Sequence, residues 1–281
     1  MTRILLKNVN LNVEIYGNGP PLIALHGFTG NITTWESFIK ASKQKFQIIA
    51  IDFLGHGLSD SPPEVTNYTN VETICLFKIL LDQLQIQKVF WLGYSMGGRI
   101  ALYAAIALKK RTSGLIIESG SAGLPDQKSR SERVAADENL ANWLGMVPIE
   151  EFVDYWESLP LWSTQRRLSE TKRQALRAQR LTNNPLGLAN SLRGAGTGAQ
   201  QSLYNKLSDL KIPSLFLAGE DDKKFVELAH GMKNSVPGAQ LNIIPNAGHA
   251  IHIEQPENFN SSVLTFLRTH TEPSNKSIES R

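Results

Sequence analysis

Gly93-Tyr94-Ser95-Met96-Gly97 is the stretch from which the rest of the sequence can be interpreted. It follows the apolar run Lys88-Val-Phe-Trp-Leu and opens the helix-like run Gly98-Arg-Ile-Ala-Leu-Tyr-Ala-Ala. A G-x-S-x-G pattern between a strand and a helix is typical of the nucleophile elbow, a sharp turn that lifts a serine hydroxyl above the edge of a sheet. Side chains at the two glycines would collide in this turn, and the helix N-terminus favours negative charge beside the serine. We therefore predict that Ser95 is a catalytic side chain.

A serine hydroxyl needs a general base, and His249 occupies the expected place for one. In folds with this elbow the chain order is serine, acid, histidine, and the histidine follows the last strand. Asn246-Ala-Gly-His249 comes directly after the predicted strand Gln240–Pro245. We predict His249 as the base, and we expect His252 to face the start of the next helix or solvent.

The acid that orients this histidine should follow the preceding strand, where three carboxylates are adjacent in Gly219-Glu-Asp-Asp222. We favour Asp222 because it occupies the fourth place of a G-x-x-D turn. Asp221 is the alternative that the sequence leaves open.

His26-Gly-Phe-Thr-Gly30 follows another predicted strand and indicates the second half of the site. The backbone N–H groups of Phe28 and Met96 are the predicted oxyanion hole. We interpret His26 as a structural hydrogen-bonding residue. Asp52 and His56, in Asp52-Phe-Leu-Gly-His-Gly, are expected to be structural and to shape the pocket floor.

Short apolar runs alternate with longer helix-period runs, which predicts an α/β fold with a mostly parallel eight-stranded sheet flanked by helices. The first two strands, joined at Asn8, are expected to form an antiparallel edge. The predicted strands are Arg3–Lys7, Leu11–Tyr16, Leu22–His26, Gln47–Asp52, Lys88–Gly93, Gly114–Ser119, Ser214–Gly219 and Gln240–Pro245. The predicted helices are Thr34–Ser42, Val71–Leu84, Met96–Leu108, Phe225–Asn234 and Glu257–Arg268.

The pattern of alternation is interrupted once. Residues 121–212 contain no convincing strand and are rich in arginine and aromatic side chains, so we interpret them as a helical lid over the carboxyl edge of the sheet, where such folds bind ligands. Residues 1–120 and 213–270 then form the core. We expect the polar tail, residues 271–281, to be disordered.

Composition argues against several classes of function. The net charge of +3 comes without a dense basic run, so we expect no nucleic-acid partner. No apolar segment approaches the roughly 20 residues of a membrane span, and the first residues lack the pattern of a signal peptide. We expect a cytoplasmic protein, monomeric by default, without a metal or organic cofactor, since no zinc-type spacing or P-loop occurs. The lone Cys75 excludes an internal disulfide and is expected to pack in the core.

Together these motifs resemble those of the α/β-hydrolase superfamily. The stretches from His26, Asp52 and Gly93 are shared by members of different function. A narrower resemblance, to the 2-succinyl-6-hydroxy-2,4-cyclohexadiene-1-carboxylate synthases of menaquinone or phylloquinone biosynthesis, covers nearly the whole chain. It rests on stretches in or beside the predicted lid: Glu118–Leu124, Phe152–Trp156, Arg180–Asn184, Gly187–Leu192 and Gly194–Gly198.

The resemblance implies a lyase that uses a Ser-His-Asp triad as a base. Its substrate, 2-succinyl-5-enolpyruvyl-6-hydroxy-3-cyclohexene-1-carboxylate, carries three carboxylates and loses pyruvate. By the same resemblance, the substrate-binding residues are Arg99, Arg133, Arg180, Tyr94, Tyr155 and Trp156.

The distribution of basic residues is compatible with a multiply carboxylated small-molecule substrate. Residues 121–212 hold eight of the 13 arginines but four of the 16 lysines, and only arginine grips a carboxylate with a planar fork. Without the resemblance, each arginine of the predicted lid is interpreted as an ordinary surface ion pair. For Arg99, the structural alternative is a tie between the helix start and a carboxylate of the lid.

Two other functions remain open. A carboxylesterase or carbon–carbon-bond hydrolase would use the same triad, and a small-molecule receptor would keep the pocket without turnover. A haloalkane dehalogenase is disfavoured, since the elbow carries serine where that chemistry needs aspartate.

Overall fold

The computed structural model describes residues 2–271, in which eight strands form one sheet of order β1-β2-β4-β3-β5-β6-β7-β8. The strands are β1 Thr2–Leu6, β2 Val9–Tyr16, β3 Pro21–Leu25, β4 Gln47–Ile51, β5 Val89–Tyr94, β6 Thr112–Glu118, β7 Ser214–Gly219 and β8 Gln240–Ile244. The eight-stranded, mostly parallel sheet is confirmed, and each boundary lies within two residues of its predicted place.

The sheet directs its functional loops to one edge. Strand β2 is antiparallel to both β1 and β4, as expected for the first hairpin, and the strands from β3 onward are parallel. The carboxyl ends of β3, β5, β6, β7 and β8 therefore lie at the same edge, and the predicted catalytic motifs follow four of them.

The described part of the chain contains ten helices. They are α1 Glu36–Ser42, α2 Asn70–Gln83, α3 Met96–Ala107, α4 Gln127–Leu144, α5 Ile149–Ser158, α6 Glu170–Leu181, α7 Pro185–Ala195, α8 Lys223–Ser235, α9 Ile251–Glu254 and α10 Pro256–Thr271. Helices α2, α3 and α8 bury apolar residues in one cluster with Trp91, and α1 and α10 contribute to a second cluster with Phe90. Trp91 and Phe90 alternate along β5, so the two clusters lie on opposite faces of the sheet.

Residues 121–212 connect β6 to β7 and form α4 to α7 with short 3₁₀ turns and no strand. These helices have an apolar cluster of their own, in which Leu144 and Phe152 are fully buried. They contact the core at the turn after β3, where the Thr29 carbonyl accepts hydrogen bonds from Gln179 and Asn183. This segment therefore begins at the carboxyl edge of the sheet and folds back onto it.

Three expectations about other parts of the chain have different outcomes. Cys75 is exposed on α2, so its predicted core position is wrong; its neighbours Ile74 and Leu76 are the residues that turn inward. Of the tail, Thr271 ends α10, and residues 272–281 lie outside the described residues. Among residues 2–271, no helix has the length and apolar character needed to cross a membrane.

Candidate active site

Ser95 lies in a strained turn between β5 and α3. Its φ of 53° and ψ of −109° place it outside the regions that L-residues ordinarily occupy. A Cβ atom on Gly93 would clash with the Gly97 carbonyl, and one on Gly97 would clash with the Leu25 carbonyl. The elbow is thus possible only because the residues two positions before and two positions after Ser95 are glycine, as the sequence pattern predicts.

The structure brings Ser95, His249 and Asp222 together. His249 Nε2 lies 2.9 Å from Ser95 Oγ, and His249 Nδ1 lies 2.6 Å from Asp222 Oδ2. Asp221 points elsewhere: its side chain is 32% exposed and pairs with Arg167 at 2.6 Å. Asp222 therefore holds the Nδ1 proton of His249, and Nε2 is free to accept the proton of the Ser95 hydroxyl.

Aromatic rings surround His249 and restrict its orientation. The ring of Phe225 lies 4.5 Å from the imidazole centroid, and those of Tyr94 and Trp162 lie at 5.5 and 5.6 Å. Neither Phe225 nor Trp162 is among the site residues predicted from the sequence. Phe225 could have been found from its place three residues after Asp222, whereas Trp162 carries no motif.

Glu118, at the end of β6, connects the nucleophile elbow with the segment that follows His249. Its carbonyl accepts the Ser95 N–H at 2.8 Å. Its buried carboxylate accepts the His252 backbone N–H at 3.0 Å and lies 2.8 Å from His252 Nδ1. The expectation that His252 faces a helix start or solvent is therefore wrong, because α9 turns this side chain inward onto Glu118.

The predicted oxyanion donors lie beside Ser95. Phe28 and Met96 line the same cavity as Ser95, and within residues 2–271 neither backbone N–H donates to a protein acceptor. The Gly30 N–H closes the turn that holds Phe28 by donating to the Gly27 carbonyl at 3.0 Å. Two N–H groups are thus available to an oxygen that gains negative charge.

His26, His56 and Asp52 form the support beneath this turn. His26 donates from Nδ1 to the Gly27 carbonyl at 2.7 Å and accepts the Phe53 N–H at 3.1 Å. Burial lowers the pKa of His26 to about 4 and the pKa of His56 to about 3. Burial also raises the pKa of Asp52, whose carboxylate accepts three hydrogen bonds from Asn12, Ile32 and Leu58. All three are placed as structural residues.

Two cavities of about 400 Å³ each flank the triad. One contains Ser95 and His249, with Arg99, Arg133 and Trp156 in its wall. The other contains Arg180. Phe28, Tyr94 and Trp162 line both cavities. Arg180 therefore lies in the wall of a neighbouring cavity, which shares these three residues with the cavity of Arg99 and Arg133.

Arg99 is buried in the wall of the Ser95 cavity. It donates to the Gln200 side-chain oxygen at 2.9 Å and to the Ala195 carbonyl at 3.0 Å. The structural alternative of a tie to a lid carboxylate is therefore not observed. Burial, with a smaller contribution from nearby Arg133, lowers the pKa of Arg99 to about 10, so the guanidinium stays charged at neutral pH.

The arginines of the predicted lid have protein partners. Arg133 Nε lies 2.7 Å from Asp137 Oδ1, and Arg180 binds Glu157 at 2.8 Å while its guanidinium lies 5.3 Å from the Trp162 ring centroid. Six of the eight pair with an Asp or Glu, namely Arg133, Arg167, Arg173, Arg177, Arg180 and Arg193. For most of them the arginine enrichment reflects ion pairs of the helices themselves.

Of the three aromatic residues predicted to bind the substrate, two line the cavities and one does not. Tyr94 lines both cavities and Trp156 lines the one with Ser95. Tyr155 lines neither cavity; it is 45% exposed and packs edge-on against Trp143. Successive residues of a helix point about 100° apart, so Trp156 and its neighbour Tyr155 do not face the same space. The structure contradicts the assignment of Tyr155 to the pocket.

Residues 20–256 match the family model described as the alpha/beta hydrolase fold. The chain is 40% identical over 246 residues to a putative 2-succinyl-6-hydroxy-2,4-cyclohexadiene-1-carboxylate synthase of Bacillus subtilis (strain 168), covering 88% of this chain and 89% of that protein. The chain belongs to the α/β-hydrolase family. The resemblance inferred from the motifs is thereby confirmed.

Two further relatives carry related names. The 2-succinyl-6-hydroxy-2,4-cyclohexadiene-1-carboxylate synthase of Salmonella agona (strain SL483) is 34% identical over 249 residues, which cover 89% of this chain and 94% of that protein. The structure of MenH from S. aureus superimposes with a TM-score of 0.89 at 35% identity, covering 92% of this chain and 99% of that one. The likeness thus extends over the core and residues 121–212 together.

Proposed function

We propose that this protein is a carbon–oxygen lyase that eliminates pyruvate from 2-succinyl-5-enolpyruvyl-6-hydroxy-3-cyclohexene-1-carboxylate, giving 2-succinyl-6-hydroxy-2,4-cyclohexadiene-1-carboxylate. Its relatives carry the name of the synthase that forms this product. Within the chain, the observation that carries the proposal is Arg99, a buried cation in the Ser95 cavity that pairs with no carboxylate of residues 2–271. Such a charge favours an anionic substrate over a neutral ester.

In the proposed reaction the triad removes a proton from the carbon next to the succinyl ketone. Ser95 Oγ takes this proton as its own hydroxyl proton passes to His249 Nε2, and Asp222 stabilises the imidazolium. The ketone oxygen becomes an enolate, to which Phe28 and Met96 donate their N–H groups. The electron pair then expels the enolpyruvyl group through the ring as its carbon–oxygen bond breaks, and His249 returns the proton to the departing enolate, which becomes pyruvate.

The arrangement of the chain suits this role. We propose that residues 121–212 act as a lid on a core of residues 1–120 and 213–270, because the Ser95 cavity is lined from both parts. Arg99 and His249 come from the core, and Arg133 and Trp156 come from the lid. A substrate with several carboxylates would then meet basic side chains from both sides.

The proposed substrate also suggests where the protein acts and which partners it has. We propose that it acts on a small molecule in the cytoplasm as a monomer, without a nucleic-acid or membrane partner. The substrate is multiply anionic and water-soluble, which suits a reaction in aqueous solution.

The direct test supplies the enolpyruvyl substrate and follows pyruvate by coupling to lactate dehydrogenase. One pyruvate per substrate consumed is expected. Rapid quench and intact-protein mass spectrometry should find no substrate-derived adduct on Ser95, since the serine acts as a base and not as an acyl acceptor. Turnover of simple esters with an acyl-enzyme on Ser95, and no pyruvate, would instead establish a hydrolase.

A further inference from the structure

Two neutral acceptors hold Arg99 in place. Its Nη1 donates to Gln200 Oε1 at 2.9 Å, and its Nη2 donates to the Ala195 carbonyl at 3.0 Å. Ala195 ends α7, so this carbonyl belongs to the partially negative end of a helix and has no intrahelical partner to lose. Both acceptors satisfy hydrogen bonds of the guanidinium without cancelling its formal charge.

The ionised side chains near Arg99 do not cancel its positive charge either. The ionised side chains that act on it are Arg133 and Asp137, and these two bind each other at 2.7 Å. Within residues 2–271, no Asp or Glu forms an ion pair with Arg99. Among the described residues, the charge of Arg99 is therefore left without a carboxylate partner in the wall of the Ser95 cavity, where its burial costs free energy unless a ligand offsets it.

Burial and a backbone hydrogen bond hold Gln200 in this position. Its side chain is buried, and its backbone N–H donates to the Gly196 carbonyl at 3.2 Å in the turn that follows α7. A glutamate of the same length here would form a charge-assisted pair with Arg99, and such hydrogen bonds are roughly twice as strong as neutral ones. The amide therefore gives up stability and preserves the charge.

We propose that Gln200 is a specificity-determining positioning residue: its neutral amide aims Arg99 at the cavity and reserves the guanidinium for a substrate carboxylate. The inference rests on the proposed function, because that function supplies the carboxylate. Gln200 acts through Arg99 and takes no part in proton transfer.

The experiment compares Gln200→Glu with Gln200→Met. Glutamate keeps the acceptor and adds a charge, so Gln200→Glu should keep or raise the melting temperature while kcat/KM for the enolpyruvyl substrate falls at least tenfold, mainly through KM. Methionine keeps the length and removes the acceptor, so Gln200→Met should lower the melting temperature and reduce kcat/KM less than glutamate does.

If Gln200 has only a structural role, the kcat/KM values of the two variants should rank in the opposite order. Gln200→Glu would then be as active as the wild type and Gln200→Met the poorer enzyme, and that result overturns the inference. The matched control is Gln127→Glu, since the exposed Gln127 also accepts from an arginine, Arg130, at 2.6 Å but lies outside the cavity. Its kcat/KM should equal that of the wild type.

A binding measurement separates this inference from the proposed function. If the wild type releases no pyruvate, the proposed function fails, and the affinity for succinate measured by calorimetry decides the role of Gln200. Succinate binding at least tenfold weaker in Gln200→Glu than in the wild type supports the inference. Equal affinity in both, or no binding to the wild type, overturns it.

Discussion

At the scale of single residues, the triad makes the sharpest prediction. Ser95→Ala and His249→Ala should each lower kcat by several orders of magnitude, because each removes one end of the 2.9 Å proton path. Melting temperatures should change little. Asp222→Asn should also be severely impaired, with Asp221→Asn as its matched control, since Asp221 binds Arg167 and not His249. Kinetics with Asp221→Asn as the poorer enzyme would show that the acid is misassigned.

Arg99 makes a second prediction at this scale. Arg99→Lys keeps the charge but loses the planar fork, so it should lose a charge-assisted contact of about 1.5–3 kcal/mol, or about ten- to a hundredfold in kcat/KM. Any hydrolysis of a small neutral ester should barely change, because such an ester has no carboxylate. Both activities and the melting temperature are to be measured. Equal losses on both substrates would make Arg99 a structural residue.

The buried histidines predict how stability depends on pH. The pKa values of about 4 for His26 and about 3 for His56 lie below the value of about 6.5 for an unfolded chain. Below about pH 6.5 the unfolded state therefore binds more protons than the folded state. The contribution of these histidines to the free energy of unfolding is fully present above that pH and is lost as the pH falls towards 4.

The measurement is urea unfolding between pH 7 and pH 4.5, where each of these histidines should contribute up to about 1.4 kcal/mol per pH unit. His56→Gln should flatten the pH dependence by this amount. The exposed His230 provides the control, and His230→Gln should leave the slope as it is in the wild type. Equal slopes in His56→Gln and the wild type would contradict the buried neutral state of His56.

At the scale of elements, the elbow depends on close packing of backbone. Gly97→Ala should destabilise the fold by more than about 2 kcal/mol and abolish activity, because the new methyl group would overlap the carbonyl at the end of β3. Gly231→Ala in α8 is the matched control. A Cβ there meets no atom within 4 Å, and alanine favours the helix by about 0.5–1 kcal/mol. Thermal unfolding of both variants checks the contrast; a stable, active Gly97→Ala would contradict it.

At the scale of the whole molecule, Asn183 ties the segment of residues 121–212 to the core. Its buried amide donates to the Thr29 carbonyl at 2.9 Å and to the Arg180 carbonyl at 3.0 Å. Asn183→Ala should cost about 1–3 kcal/mol of stability. It should also lower kcat several-fold, since the Thr29 turn carries the Phe28 N–H.

The comparison for this variant is Asn67→Ala, since the Asn67 amide makes only exposed bonds of 3.3 and 3.4 Å to Glu64. That substitution should change stability by less than about 0.5 kcal/mol. A lower melting temperature of Asn183→Ala with an unchanged kcat would show that this contact stabilises the protein without shaping the site.

Local sequence patterns were sufficient to predict most of the sheet and the candidate triad of this protein. The positions of the strands and of five helices, α1, α2, α3, α8 and α10, follow from hydrophobic periodicity, and the elbow follows from two glycines whose need is steric and local. Ser95, His249 and the candidate Asp222 follow from their places after particular strands. These inferences succeed because the carboxyl ends of parallel strands converge on one edge, so the order of motifs along the chain already implies their neighbourhood.

Only the tertiary structure decided which groups pair. Asp222 and Asp221 are adjacent in sequence, yet one meets His249 and the other Arg167. The partner of Arg99, Gln200, is 101 residues away. A charged side chain takes whichever partner the packed helices bring within reach, and that competition depends on distances that no local pattern contains. For the same reason the predicted substrate arginines line two neighbouring cavities, and Tyr155 lines neither.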